Sequence, residues 1–276
     1  MKISLPNDPW LPAFPVTRSL IVLNGLIWFA GAVGSISGLE FLTPEAMVRA
    51  LGLFPQAVFG EGALWMPLTH MFLHGNGTHL LVNMVGLFLL GPDLERTFGP
   101  VPFLLLFLLS GLAGGVGYVL FSFLVLGHVL PVVGASGAIM GILGAIVALF
   151  PKRIYVILPL MIPLRASTLA VLMLTVHLFF MFTPYGGRVA YDVHLYGGLT
   201  GFAFAWWVSR GHLRRFRKRL PDLDPVRDIA ELEGLVVRLA RGDEPLSEAE
   251  LARYALLKEA LRYADVLTVE ELTPKA

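Results

Sequence analysis

Four polar side chains lie in stretches that are otherwise apolar: His79, Asn83, Ser136 and His194. A polar group surrounded by hydrocarbon is costly, so each asks for a reason. A serine hydroxyl is a poor nucleophile until a base takes its proton. A neutral imidazole within about 3 Å can do that, with an effect on the order of 10²- to 10⁴-fold. The oxyanion of the resulting tetrahedral intermediate needs hydrogen-bond donors. The Asn83 amide, His79 and the backbone N–H of Ser136 are available, and loss of one such donor typically costs about 10²- to 10³-fold. Gly134 and Gly137 flank the serine and let backbone and substrate approach it without a Cβ. A helix starting there adds a positive dipole end. No acid has to orient His194, because a Ser/His dyad can be held by packing alone. The same residues admit other roles. The run Gly134-Ala135-Ser136-Gly137 suits plain helix packing, an intramembrane histidine suits a proton path, and His79 with Asn83 could tie two helices together. On the residues alone, serine hydrolysis, transport and packing stay open. A metal site is poorly supported: His70 and His74 are four apart, but position 71 is Met, so H-E-x-x-H is absent.

The elements that carry these residues follow from composition. Of 276 residues, 56% are apolar and only 15% are charged, against about 25% charged in an average soluble domain. The first 209 residues hold 8 Lys/Arg and 7 Asp/Glu, whereas residues 210–276 hold 13 and 13. A soluble globule needs charge all over its surface, so residues 19–209 read as a membrane domain. The net charge of +1 leaves no large basic face for nucleic acid. The absence of cysteine excludes a thiol nucleophile, thiolate metal ligation and disulfides. Residues 19–39 form an uncharged run of 21, enough to cross about 30 Å of hydrocarbon. The run starts late and continues to Leu39, which suits a retained span better than a cleaved signal peptide. A second span is expected over 78–91, after the breakers Gly75-Asn76-Gly77. Residues 97–151 carry no formal charge and divide near Pro131 into spans at 101–126 and 134–150. Spans at 166–187 and 193–209 complete six.

The fold class expected is therefore all-α, a polytopic six-helix membrane bundle with residues 1–18 as an N-terminal segment and a first loop over 40–77. With the N-terminus inside, inner segments hold 12 Lys/Arg and outer segments only Arg49 and Arg188, so both termini are expected in the cytoplasm. The second, fourth and sixth spans then run from outside to inside. Their starts, which carry His79, Asn83, Ser136 and His194, share one layer near the outer surface. Gly137, Gly141 and Ala145 on the fourth span, and Gly197, Gly201 and Ala205 on the sixth, recur at every fourth position, a spacing that lets membrane helices approach closely. Packing of the two stripes would bring Ser136 to His194. Such groups near one surface differ from the midplane ionisable groups of a transporter.

Residues 210–276 read as a cytoplasmic helical hairpin. Ile229, Leu232, Leu235, Val236 and Leu239 recur at helical spacing, and Ser247 with Glu250 forms a capping box for a second helix through Leu261. Such a tail serves as a solubilising segment or a contact between copies, with a regulatory role as the alternative.

The motifs taken together add a resemblance. Trp65-Met66-Pro67-Leu68-Thr69 leads to Met71-Phe72-Leu73-His74, then His79-Leu80-Leu81-Val82-Asn83, Gly91-Pro92-Asp93-Leu94-Glu95, Gly134-Ala135-Ser136-Gly137, and His194-Leu195-Tyr196-Gly197 with Gly201. Over residues 15–210 the chain resembles a rhomboid intramembrane serine protease of the six-span bacterial type. H-x-x-x-N, G-x-S-G and H-x-x-G-x-x-x-G fall in order on the second, fourth and sixth spans. The resemblance implies Ser136 as nucleophile, His194 as general base, and His79 and Asn83, with Gly134 beside the serine, lining the oxyanion site. It implies no metal or cofactor, and substrates that are single-span membrane proteins cut within the bilayer near its outer face, in a prokaryotic plasma membrane. The first loop corresponds to a half-submerged loop domain. His70, His74, Asn76 and Thr78 would hold water, and the fifth span with the 184–188 loop, including Gly186-Gly187, would admit substrate. Two positions depart from the pattern: Met66 stands where many relatives have Arg, and Met140 where many have an aromatic that packs the catalytic imidazole. The alternative reading is a non-catalytic rhomboid-like binding or chaperone protein.

Overall fold

The computed structural model describes residues 14–123, 131–157, 160–181, 191–219 and 247–260, with Glu231, Gly234, Leu235 and Arg238 from the intervening segment. The chain divides into two compact units, Met1–Phe204 and Ala205–Ala276. The described helices are α1 (Pro15–Ser37), α2 (Pro44–Leu51), α3 (Pro55–Gly60), α4 (Met66–Thr69), α5 (Gly77–Phe98), α6 (Pro100–Tyr118), α7 (Ser136–Leu149), α8 (Ala166–Met181), α9 (Tyr191–Arg219) and α10 (Glu248–Ala260). Three of these stretches, Pro15–Ser37, Gly77–Phe98 and Pro100–Phe121, are long and apolar enough to cross a membrane, and Ser136–Leu149 and Ala166–Phe180 are shorter apolar helices. Large apolar side chains such as Val22, Phe29, Leu81 and Phe88 face outward, as lipid-facing positions do.

Proline at the first or second position opens α1, α2, α3 and α4, where its missing N–H costs no helical bond and its fixed φ suits the turn. The start of α1 is capped from outside. Val16 and Thr17 donate backbone N–H bonds to the Glu95 carboxylate at 2.7 and 2.8 Å, and the Thr17 hydroxyl donates at 2.7 Å. That explains why α5 does not stop at Gly91. It runs through Pro92 to Phe98, beyond the 78–91 span expected from sequence, and its last turns carry charges that are used. Glu95 caps α1, while Asp93 accepts from the Tyr155 hydroxyl at 2.7 Å and pairs with Arg153 at 3.4 Å. Proline costs the helix one bond, and the bonds that Asp93 and Glu95 make beyond it offset that loss.

The helix α6 ends in a π-turn over Val119–Phe123, and the remainder of the expected 101–126 span lies outside the described residues. The stretch between α7 and α8 departs from the all-α expectation. Ile154–Ile157 and Ile162–Arg165 form an antiparallel hairpin, with Tyr155 opposite Leu164. Its first strand alternates, with Tyr155 buried between exposed Ile154 and Val156, the period-two pattern of a half-covered strand.

The core that matters for the site is the seam between α7 and the first part of α9. A Cβ built on Gly201 would overlap the Gly141 carbonyl, and one on Gly197 would overlap the Gly137 carbonyl. The two backbones are in direct contact, as the small-residue spacing implied. Gly201→Ala is therefore expected to cost about 1–3 kcal/mol, read as a drop in Tm of roughly 5 °C. An unchanged melting curve would show that the helices do not meet there.

In the second unit, α10 begins as the sequence indicates. Ser247 N–H donates to the Glu250 carboxylate at 2.8 Å, and the Glu250 N–H donates to the Ser247 hydroxyl at 3.3 Å. The Ser247 backbone bond, then the Arg238 side chain at 2.6 Å, hold the Glu250 carboxyl down at about 2. Ile229, Leu232, Val236 and Leu239 lie outside the described residues.

Candidate active site

Ser136 is the first residue of α7, with Ala135 as its cap. The first N–H groups of a helix have no intrahelical acceptor, so the backbone around the serine presents donors to whatever lies above it. The approach to α7 is pinned by the loop between α1 and α5. Leu53 and Val132 exchange N–H···O bonds of 2.9 and 3.0 Å, and Gly134 N–H donates to the His70 carbonyl at 2.9 Å. Gly134 has φ +125°, and a Cβ there would sit 2.7 Å from the His79 ring. Only glycine meets both conditions.

The loop itself is held by side chain to backbone bonds. Trp65 Nε1–H donates to the Ala50 carbonyl at 2.9 Å and the Thr69 hydroxyl to the Leu51 carbonyl at 2.7 Å. His70 and His74 are buried within it, and burial lowers both to about 4, for His74 with a smaller contribution from the neighbouring His79. Both imidazoles are thus neutral at neutral pH.

His194 lies in the first turn of α9. Its Nε2 is 2.6 Å from Ser136 Oγ. Two residues 58 positions apart are brought into hydrogen-bonding reach through the α7–α9 glycine seam. Val193, next to His194, packs where a Cβ on Gly137 would fall, 2.8 Å from its Cγ1, so the base is fixed against the turn that carries the serine. His79 flanks the same point across Gly134. It lies in the first turn of α5, where its N–H donates to the capping Asn76 side chain at 2.8 Å. Asn83, one turn on, is buried and spends one amide N–H on the His79 carbonyl at 2.9 Å. Ser136, His194, His79 and Gly134 therefore form one cluster. Among the described residues no group of three or more His, Asp or Glu side chains is arranged to hold a metal ion.

One polar residue of this cluster was missed in the sequence. His177 of α8 stands edge-on to His194, ring centroids 4.6 Å apart at 83°, with its Nε2 2.5 Å from His194 Nδ1. The signal was present, because an intramembrane histidine in an uncharged stretch carries the same cost as His79 or His194.

Serine hydroxyl, imidazole and helix N-terminus in this geometry accompany a family match. Residues 61–211, just over half the chain, match the family model described as the Rhomboid domain. The chain belongs to the rhomboid family. It is 33% identical to YdcA of Bacillus subtilis (strain 168) over 137 residues, covering 48% of this chain and 60% of the relative. It is 29% identical to the rhomboid protease AarA of Providencia stuartii over 145 residues, covering 49% of this chain and 50% of that protein. It is also 29% identical over 121 residues to an Arabidopsis thaliana relative named Inactive RHOMBOID-like protein 8, covering 43% and 33%. The chain thus spans less than two thirds of each of these relatives. Rhomboid family members are integral membrane proteins, consistent with the apolar helices here.

Against the rhomboid pattern, the two departures have structural answers. Met66 is buried in one apolar cluster with Leu53, Ala57 and Ala63, so an apolar side chain fills this position. Met140 lines an apolar cavity of about 200 Å³ together with His177, Tyr191 and His194. The rings beside the imidazole come instead from His177 and Tyr191, whose centroid lies 6.4 Å from that of His194.

Proposed function

We propose that this chain is an intramembrane serine endopeptidase in which Ser136 is the nucleophile and His194 the general base. The observation that carries the reading is the 2.6 Å approach of Ser136 Oγ to His194 Nε2 at the N-terminus of α7. The Ser136 hydroxyl donates to His194, attacks the scissile carbonyl and leaves its proton on Nε2. The tetrahedral oxyanion is met by the N–H groups at the start of α7, by His79 and by the second amide N–H of Asn83, whose first is spent on the His79 carbonyl. His194 then protonates the leaving amine, and water attacks the acyl-enzyme through the same base. Asn76 and Thr78, both exposed, supply the polar rim through which that water arrives, whereas His70 and His74, expected from the sequence to join them, are buried in the loop.

The substrates on this reading are single-span membrane proteins, cut near the outer face of a prokaryotic plasma membrane. The chain crosses that membrane six times within residues 19–209, with 1–18 and the 210–276 tail in the cytoplasm. The positive-inside asymmetry of 12 against 2 supports that orientation. The tail is available for self-association. The fifth span and the 184–188 loop admit the substrate; the loop lies outside the described residues. No metal or cofactor takes part.

Incubating the purified protein in detergent with a set of single-span substrates and mapping the products by mass spectrometry tests this. Internal cleavage at one position of a spanning segment, unaffected by EDTA, is expected. Binding without cleavage would favour a non-catalytic relative, a reading kept open by the relative named inactive. Turnover eliminated by EDTA would favour a metal enzyme.

A further inference from the structure

The Nδ1 of His194 meets an imidazole nitrogen, not a carboxylate oxygen. His177 Nδ1 lies in hydrogen-bonding contact with the Met173 carbonyl one turn back in α8. A carbonyl oxygen only accepts, so Nδ1 of His177 carries a hydrogen. In a neutral imidazole the other nitrogen is then a bare acceptor. That acceptor, His177 Nε2, is 2.5 Å from His194 Nδ1, so His194 Nδ1 carries the hydrogen of that bond. This in turn leaves His194 Nε2 with a free lone pair, aimed at Ser136 Oγ 2.6 Å away. One backbone carbonyl on α8 therefore sets every hydrogen in the series Met173, His177, His194, Ser136, and the tautomer it selects for His194 is the one a general base requires.

We propose that His177 is the positioning residue for this base, fixing the tautomer and ring orientation of His194 from a separate helix. The proposal rests on the Ser136/His194 reading. It assigns to an uncharged ring the orienting part that an acid has in a serine triad. The proton taken from Ser136 resides on His194 Nε2 and passes to the leaving amine; His177 gains and loses none.

Position 177 is also well placed sterically. Met173, His177 and Phe180 are half-buried while the residues between them on α8 are exposed, so His177 lies on the packed face of its helix. Tyr191 stands edge-on to it at 5.3 Å, and Phe180 stacks on Tyr191 at 5.7 Å and 16°. The ring is enclosed on that side and held in line with His194.

Packing alone and hydrogen bonding make different predictions. His177→Phe keeps a ring and removes the acceptor. His177→Gln removes the ring but places a carboxamide oxygen near the position of Nε2. With a single-span substrate in detergent, His177→Phe is expected to lower kcat about 10- to 100-fold, as misorientation of a catalytic group does, with KM within about twofold of wild type. His177→Gln is expected to recover most of that loss, to within roughly fivefold of wild-type kcat. The rate of fluorophosphonate labelling should follow the same order. Should His177→Phe not give folded protein, His177→Leu takes its place with the same expected losses. Wild-type kcat in the acceptor-free variant, or a His177→Gln enzyme as slow as it, would overturn the proposal. If the wild-type protein neither cleaves nor labels, the dyad reading itself fails. If it does both while His177→Phe is unimpaired, only the role of His177 fails.

Discussion

Ser136→Ala is expected to lower kcat for cleavage of a single-span substrate by at least about 10⁴-fold, to the floor of the assay. The hydroxyl is the atom that forms the new bond, and neither an alanine methyl nor the neighbouring backbone can replace it. The substitution is small at a helix N1 position, and Ser136 is only half-buried, so the fold should be unchanged by circular dichroism and melting. Substrate binding should persist, because the surfaces that hold a spanning segment do not include Oγ. A variant that kept more than a tenth of wild-type turnover would remove Ser136 from the chemistry.

The second large effect is expected at His194. Its Nε2 lies 2.6 Å from the serine, and without it the hydroxyl proton has no acceptor. His194→Ala should cost about 10³- to 10⁴-fold in kcat. The Ser136→Ala/His194→Ala double variant should be no slower than the worse single variant, because the two groups act as one unit. Multiplied losses would mean that they act independently. A pH series supplies a further readout. A protonated imidazole has no lone pair on Nε2, so activity should fall once acidification protonates that ring. Turnover that rises as the solution is made more acidic would contradict a neutral imidazole base.

The parts of this arrangement legible in the sequence were those with a strong physical cost. Ser136, His194, His79 and Asn83 stood out because lipid makes polar groups expensive, and the glycines at 137, 141, 197 and 201 stood out because their spacing has one main use in membranes. The α7–α9 contact and the meeting of Ser136 with His194 followed from those two facts. His177 did not emerge. It carries no motif, and its acceptor is a backbone carbonyl that no side-chain pattern encodes. His79, Ser136 and His194 lie in the first turns of α5, α7 and α9, whereas His177 lies near the end of α8. The paired strands Ile154–Ile157 and Ile162–Arg165 were hidden for another reason. Four-residue strands are too short for a period to emerge beside Lys152 and Arg153. The helices α2, α3 and α4 occupy the stretch expected as a first loop, and Pro44, Pro55 and Pro67 each mark a first turn there. The run of α5 past Pro92 depended on Glu95 reaching α1, a contact between residues nearly 80 positions apart.

The most direct test of the central claim is to treat the wild-type protein in detergent with a fluorophosphonate and locate the adduct by peptide mass spectrometry. Modification of Ser136 alone, lost in His194→Ala, is the predicted result. Cleavage activity that survives treatment with no adduct on Ser136, or an adduct on a different residue that accounts for the inhibition, would contradict it.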